Sequence, residues 1–112
     1  MSIIIPAKEV NFISDDVEDE FNELQEEGWL KKSIKRLIEN LKLNAFCGEQ
    51  IKKKLIPKYY IVNYDLHNLW WCPLPNGWRL VYSIVTMSDK SLMATIIEFF
   101  DHKDYERRFS YN

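Results

Sequence analysis

Residues 69–100 read LWWCPLPNGWRLVYSIVTMSDKSLMATIIEFF. Three runs within this stretch, Leu69 to Leu74, Trp78 to Val85 and Leu92 to Phe100, are rich in β-branched and aromatic residues, the types that fit a pleated, half-buried surface. Two polar breaks divide them. Pro75-Asn76-Gly77 supplies the positive-φ conformations that a tight hairpin needs, and Ser88-Asp89-Lys90-Ser91 supplies a second short connection. Connections this short join antiparallel neighbours, so the stretch predicts a three-stranded antiparallel meander.

Upstream the apolar period changes from 2 to 3.6. Val17, Phe21 and Leu24 stand four and three apart within Asp16 to Glu27, the stripe of an amphipathic helix. Ser14-Asp15-Asp16 are N-cap types, and Gly28 is the usual residue just past a helix end. From Trp29 onward, Leu30, Ile34, Leu37, Ile38 and Leu41 form a second stripe, with Lys31, Lys32, Lys35, Arg36 and Lys42 around the rest of the circumference. The two segments make a helical hairpin. Ahead of it, Glu9 to Ile13 alternates as a short first strand. Asn44 to Lys58, with Gly48, Pro57 and Lys52-Lys53-Lys54, reads as a loop with one helical turn before an extended segment. Asp101 to Phe109 (DHKDYERRF) closes the chain as a short helix or a tail beside the sheet. The fold class is therefore α+β: an N-terminal strand, a two-helix hairpin, then the meander. At 112 residues, one domain spanning 1–112 can bury one core but not two.

The chain is 46% hydrophobic and 29% charged, the balance of a packed domain rather than a disordered one. Its net charge of −2 conceals a strong asymmetry. Residues 1–30 carry one Lys against nine acids, and residues 31–58 carry nine bases against two acids. A polyanion responds to the local face rather than to the global sum, so the middle third is the candidate nucleic-acid surface. Cys47 and Cys72 have neither a CxxC spacing nor the density of a disulfide scaffold, and read as free thiols of a reducing cytosol. The N-terminal MSIIIPAKEVNF has only a three-residue apolar patch, Ile3 to Ile5, and no stretch approaches the roughly 20 apolar residues of a membrane span. A cytoplasmic protein with no membrane partner, no metal and no cofactor is expected.

Two motifs carry a resemblance to a known family. Asn76-Gly77-Trp78-Arg79-Leu80-Val81-Tyr82 is similar to the glycine-aromatic-arginine-hydrophobic-hydrophobic-tyrosine strand of the RelE/ParE toxins. Asp101-His102-Lys103-Asp104-Tyr105 resembles the family's closing segment after its last strand. With the helical hairpin and the Lys-rich loop, the resemblance spans about Val10 to Phe109. It implies the toxin of a toxin–antitoxin pair, held by a cognate antitoxin protein and cleaving mRNA on the ribosome without a metal. In that chemistry a ribose 2′-hydroxyl attacks the adjacent phosphate, which calls for a base, cations on the phosphate oxygens and an acid for the leaving oxygen. The resemblance places Arg79 on the scissile phosphate, Tyr105 as the base, and His102 or Lys103 as acid or charge stabiliser. RNA contacts are expected from Lys52, Lys53, Lys54, Lys58 and Arg36. Where ribosome-dependent members carry strand lysines before the arginine, this chain has Trp71 and Pro73.

Alternative readings stand beside these. Arg79 can be a surface residue paired with Glu98 across the strands, Tyr105 can pack the tail onto the sheet, and the triple lysine can be a solvated loop. Trp70, Trp71 and Trp78 can stack on bases or fill the core. Two alternatives to the nuclease remain, a ParE-like toxin acting on gyrase through protein contacts and a non-catalytic relative that binds proteins. A sheet face blocked by its own aromatics would favour the last.

Overall fold

The computed structural model describes residues 4–110; Met1 to Ile3, the start of the apolar patch included, Tyr111 and Asn112 lie outside the described residues. The fold is α+β. In chain order the elements are β1 (Ala7–Phe12), α1 (Asp15–Asn22), α2 (Trp29–Leu43), β2 (Glu49–Gln50), α3 (Lys58–Tyr64), β3 (Trp70–Pro73), β4 (Arg79–Thr86), β5 (Leu92–Phe100) and α4 (His102–Arg108). No helix among the described residues is long and apolar enough to cross a membrane.

The meander β3-β4-β5 is antiparallel, but it is the centre of a larger mixed sheet of order β1-β5-β4-β3-β2. β1 runs parallel to β5 on one edge, and the two-residue β2 adds to β3 on the other. At the first hairpin, Asn76 and Gly77 adopt φ of 61° and 77°, the pair of positive values of a type I′ turn, and the Trp78 amide donates to the Pro75 carbonyl at 3.3 Å. At the second, Lys90 is left-handed, and Asp89 accepts from both the amide and the hydroxyl of Ser91 while its carboxylate meets Lys8 of the β1 edge at 2.7 Å.

Each face of the sheet has its own cover. On one, Ile34, Leu37 and Leu41 of α2 and Phe21 of α1 pack on Cys72, Leu80, Tyr82, Ala94, Ile96 and Phe99. On the other, Tyr60 of α3 and Phe109, just past the end of α4, pack on Leu69, Val81, Ile97 and Phe100. A β-bulge shapes this second face. Val81 pairs with Glu98 and Tyr82 with Ile96, so Ile97 is the extra residue, and Ile97 and Glu98 project to the same side instead of alternating.

Three expected boundaries differ. The first helix ends at Asn22, not Glu27, and Gly28 is the N-cap of α2 rather than a C-terminal stop. The cause is Lys31, only 4% exposed, whose ammonium donates to the carbonyls of Asn22 and Leu24 and to Glu26, so the chain after Asn22 folds around a cation. The second difference is α3, which occupies residues read as extended. Tyr59, Tyr60, Ile61 and Val62 are strand formers by type, but wrapping them into helical turns on Pro57 buries Tyr60 completely, and Asp65, left-handed at φ 54°, ends the helix. Third, the first strand is Ala7–Phe12 rather than Glu9 to Ile13.

Candidate nucleic-acid interface

β4 opens at Arg79, and strand alternation puts its side chain with Val81 on the face covered by α3 and α4. Its cross-strand neighbours are Pro73 and Phe100. The guanidinium lies between two aromatic rings, 4.4 Å from the Trp71 ring centre and 4.2 Å from that of Tyr105. Tyr105 in turn stacks on Phe109 at 4.5 Å and meets Phe100 edge-on at 5.9 Å. The result is a four-layer stack of Trp71, Arg79, Tyr105 and Phe109. A guanidinium is weakly hydrated and planar, so aromatic faces hold it well while its N–H edge stays available. Arg79 makes no ion pair or hydrogen bond among the described residues, and neither does the Tyr105 hydroxyl.

Glu98 does not pair with Arg79. The bulge sets it opposite Val81, where its carboxylate takes both arms of Arg108, at 2.8 and 3.0 Å, and accepts from the Tyr60 hydroxyl at 2.7 Å. Arg108 also lies 3.5 Å from the Tyr59 ring centre. Burial, and then the Glu98 charge, push the Tyr60 phenol far above its ordinary value, so it stays a donor. This network fastens α3 and α4 to the sheet and occupies the carboxylate with Arg108, leaving Arg79 without a counter-ion among the described residues.

Two depressions flank the stack. One, of about 260 Å³, is lined by Gln50, Ile51, Lys52 and Leu55 together with Trp71, Tyr105 and Phe109. The other, of about 580 Å³, has Lys54, Lys58, Arg107 and Arg108 in its walls, with Tyr59. A single-turn 3₁₀ segment, Lys53–Leu55, forms the ridge between them. Tyr105 and Lys52 thus line one depression, Arg79 lies against its Trp71 and Tyr105 walls without lining it, and Lys54 and Lys58 line the neighbouring one.

His102 sits in the first turn of α4 with its Cβ near Gly77, and three residues before Tyr105 it lies on the same side of the helix. Its ring is exposed and paired with Glu106 at 2.7 Å. Lys103 is exposed and lines neither depression, as is Lys53. Arg36 lies elsewhere, on α2, in a groove with Ser33, Asn40 and Pro73 to Pro75. Of the tryptophans, Trp70 and Trp78 pack against the hairpin-side core, and Trp71 alone faces Arg79. Phe109 and Arg107 were not singled out from the sequence as parts of this site, whereas Trp71 was named there as a base-stacking candidate and as the position of a missing lysine. The period of β3 separates it from Cys72, which stands on the opposite face.

Comparison with protein-family models, curated proteins and solved structures finds no match for this chain.

Proposed function

We propose that this chain is a RelE-like toxin, an endoribonuclease that cleaves mRNA on the ribosome without a metal and is neutralised by a cognate antitoxin. The observation that carries the reading is Arg79: a guanidinium with no counter-ion among the described residues, held by the Trp71 and Tyr105 rings that also line a depression with Lys52. A fixed cation of this kind is preorganised for a phosphate whose charge grows as the 2′-hydroxyl attacks. The free Tyr105 hydroxyl is the candidate base and His102, once released from Glu106, the candidate acid. Lys52, Lys54 and Lys58, joined by Arg107, give the flanking phosphates a path on either side of the 3₁₀ ridge. Exposed Leu55, Ile61 and Val62, next to these lysines, offer an antitoxin segment apolar anchors within a basic surround.

The sheet order supports the reading as far as layout goes, with the meander preceded by a strand and a helical hairpin. The additional α3 and the edge strand β2 are features of this chain.

A second reading has its own observation. Trp71 and Tyr105 cover both faces of Arg79, which also suits a protein-binding relative in which the guanidinium is a structural wedge. Cleavage mapping in a reconstituted translation system separates the two. The nuclease reading expects ribosome-dependent cuts by the intact chain, lost in Arg79→Ala and reduced in Tyr105→Phe. No cuts by the intact chain would withdraw it in favour of the binding module or of a gyrase-directed toxin, which a DNA supercoiling assay would detect.

A further inference from the structure

Cys47 and Cys72 stand 25 positions apart in the sequence, yet Gly48, the chain neighbour of Cys47, packs against the buried Cys72 sulfur, and each thiol shifts the titration of the other. Their surroundings hold them there. Tyr82, buried in β4, donates its hydroxyl to the Ala45 carbonyl at 2.8 Å and accepts from the Gly48 amide at 3.0 Å, pinning the segment that carries Cys47. Gly48 lies so close that a β-carbon there would stand 2.9 Å from the Cys72 sulfur and 2.8 Å from the Trp71 carbonyl. The segment therefore packs directly on β3. The two thiols also differ in access: Cys47 is exposed, whereas Cys72 is 4% exposed.

We propose that Cys47 and Cys72 are a redox-active pair that closes to an intramolecular disulfide when a peroxide reaches Cys47 and reopens to a dithiol reductant. This proposal is independent of the ribonuclease reading. The Cys47 thiolate attacks one peroxide oxygen, the O–O bond breaks, and the departing hydroxide takes up a proton as water. The product is a sulfenic acid on Cys47. The Cys72 sulfur then attacks that sulfur, the S–OH bond breaks, and the hydroxide leaves as water with the Cys72 proton. Two thiols and one peroxide become one disulfide and two waters, the two electrons passing from the sulfurs to the peroxide. A dithiol reverses the change by thiol–disulfide exchange.

The chemistry of the two groups fits this order. The Cys72 neighbour lowers the Cys47 thiol to about 7, ahead of the opposing effect of burial, so much of it is thiolate at neutral pH. The Cys47 neighbour, with burial behind it, pushes the Cys72 thiol far up, so it enters as the proton-bearing partner. The new bond would close the loop from 47 to 72, which contains β2, Lys52 to Lys58 and α3, and would fix the strand segment that carries Trp71.

The test treats the full chain with a few equivalents of hydrogen peroxide and reads intact mass and non-reducing peptide maps. The expected result is a loss of about 2 Da, a single 47–72 cross-linked peptide, and full reversal by dithiothreitol. Thermal melting should shift upward by roughly 10 °C on oxidation, because a loop of this length is constrained in the unfolded chain. In Cys47→Ser, an exposed change that leaves the core intact, neither the mass loss nor the melting shift occurs. Accumulation of sulfinic acid on Cys47 with Cys72 still free, or cross-linked dimers through Cys47, would overturn the proposal.

Discussion

The two faces of the sheet are built on different principles. The hairpin side is an apolar core in which α2 lays Ile34, Leu37 and Leu41 on the strands, and every one of these is nearly or fully buried. The opposite side is aromatic and charged: Tyr60, Tyr105, Phe109 and Trp71 surround Arg79 and the Glu98–Arg108 pair. The first face converts burial into stability and carries none of the groups assigned to cleavage. The second gives up part of that burial to hold cations in place, so stability and the proposed cleavage should be separable by face.

The largest test of this separation pairs two truncations. Leu41→Ala should destabilise the domain by about 3 kcal/mol, since it empties a fully buried site, yet leave RNA cleavage by the folded fraction unchanged. Arg79→Ala should do the reverse. Cleavage should fall by roughly 100-fold or more, the usual cost of removing a preorganised charge-stabilising group. Stability should change by only about 1 kcal/mol, the scale of a cation–π contact. Denaturant melts alongside cleavage rates measure both, and equal losses in both variants would dissolve the comparison.

Next in size is the carboxylate that organises the second face. Glu98→Ala strips Arg108 and Tyr60 of their common partner and should cost about 2–3 kcal/mol, mostly from leaving the phenol and guanidinium unsatisfied. The double variant Glu98→Ala/Arg108→Ala should recover part of that loss. If the two single losses simply add in the double variant, the network is not a unit.

How much of this was legible in the sequence follows the same division. The hairpin side shows a 3.6 period, and Leu30, Ile34, Leu37 and Leu41 announce it. The second face hides for two physical reasons. Helix α3 is written in strand-forming residues, and only the burial of Tyr60 against the sheet makes a helix the better arrangement. In β5, the run Thr95-Ile96-Ile97-Glu98 alternates on paper, but the bulge turns Ile97 and Glu98 to one side, so Glu98 meets Arg108 rather than Arg79. Arg79 and Tyr105 were visible through their motifs. Trp71 was visible as a missing lysine and as one of three candidate stacking tryptophans, but its contact with Arg79 depends on tertiary geometry. The Cys47–Cys72 meeting likewise has no local signature, because it is made by the packing of Gly48 on β3.

A third change probes that packing. Gly48→Ala would drive a methyl group into the Trp71 carbonyl, the Tyr82 hydroxyl and the Cys72 sulfur, all within 2.9 Å, and two of these are parts of a rigid strand and a buried phenol. The expected cost is about 1–3 kcal/mol. It should also separate the thiols, so the pH at which Cys47 half-reacts with iodoacetamide, held down in the parent chain by its Cys72 neighbour, should move upward. An unchanged midpoint would mean that Cys72 does not set it.

The smallest effect lies at the one buried charge among the described residues of the hairpin side. The Lys31 ammonium, nearly buried, holds the carbonyls that end α1, and Glu26 supplies its only carboxylate among the described residues, shared with Lys35 at 3.0 Å. Hydrogen bonds from Lys31 and Lys35, followed by their charges, lower the Glu26 carboxyl to about 2. A depressed carboxyl contributes stability that is complete above its unfolded value near 4.5 and is lost as pH falls toward 2. Because Glu26 itself is exposed, solvent screens most of that contribution. Melting curves of the parent chain and Glu26→Gln should therefore differ slightly at neutral pH and converge as the pH falls from 4.5 to 2. Added salt should shrink the neutral-pH difference. A gap that persists in acid would assign the effect to the Gln side chain rather than to the charge, and Lys31 would then rest on the carbonyls of Asn22 and Leu24 alone.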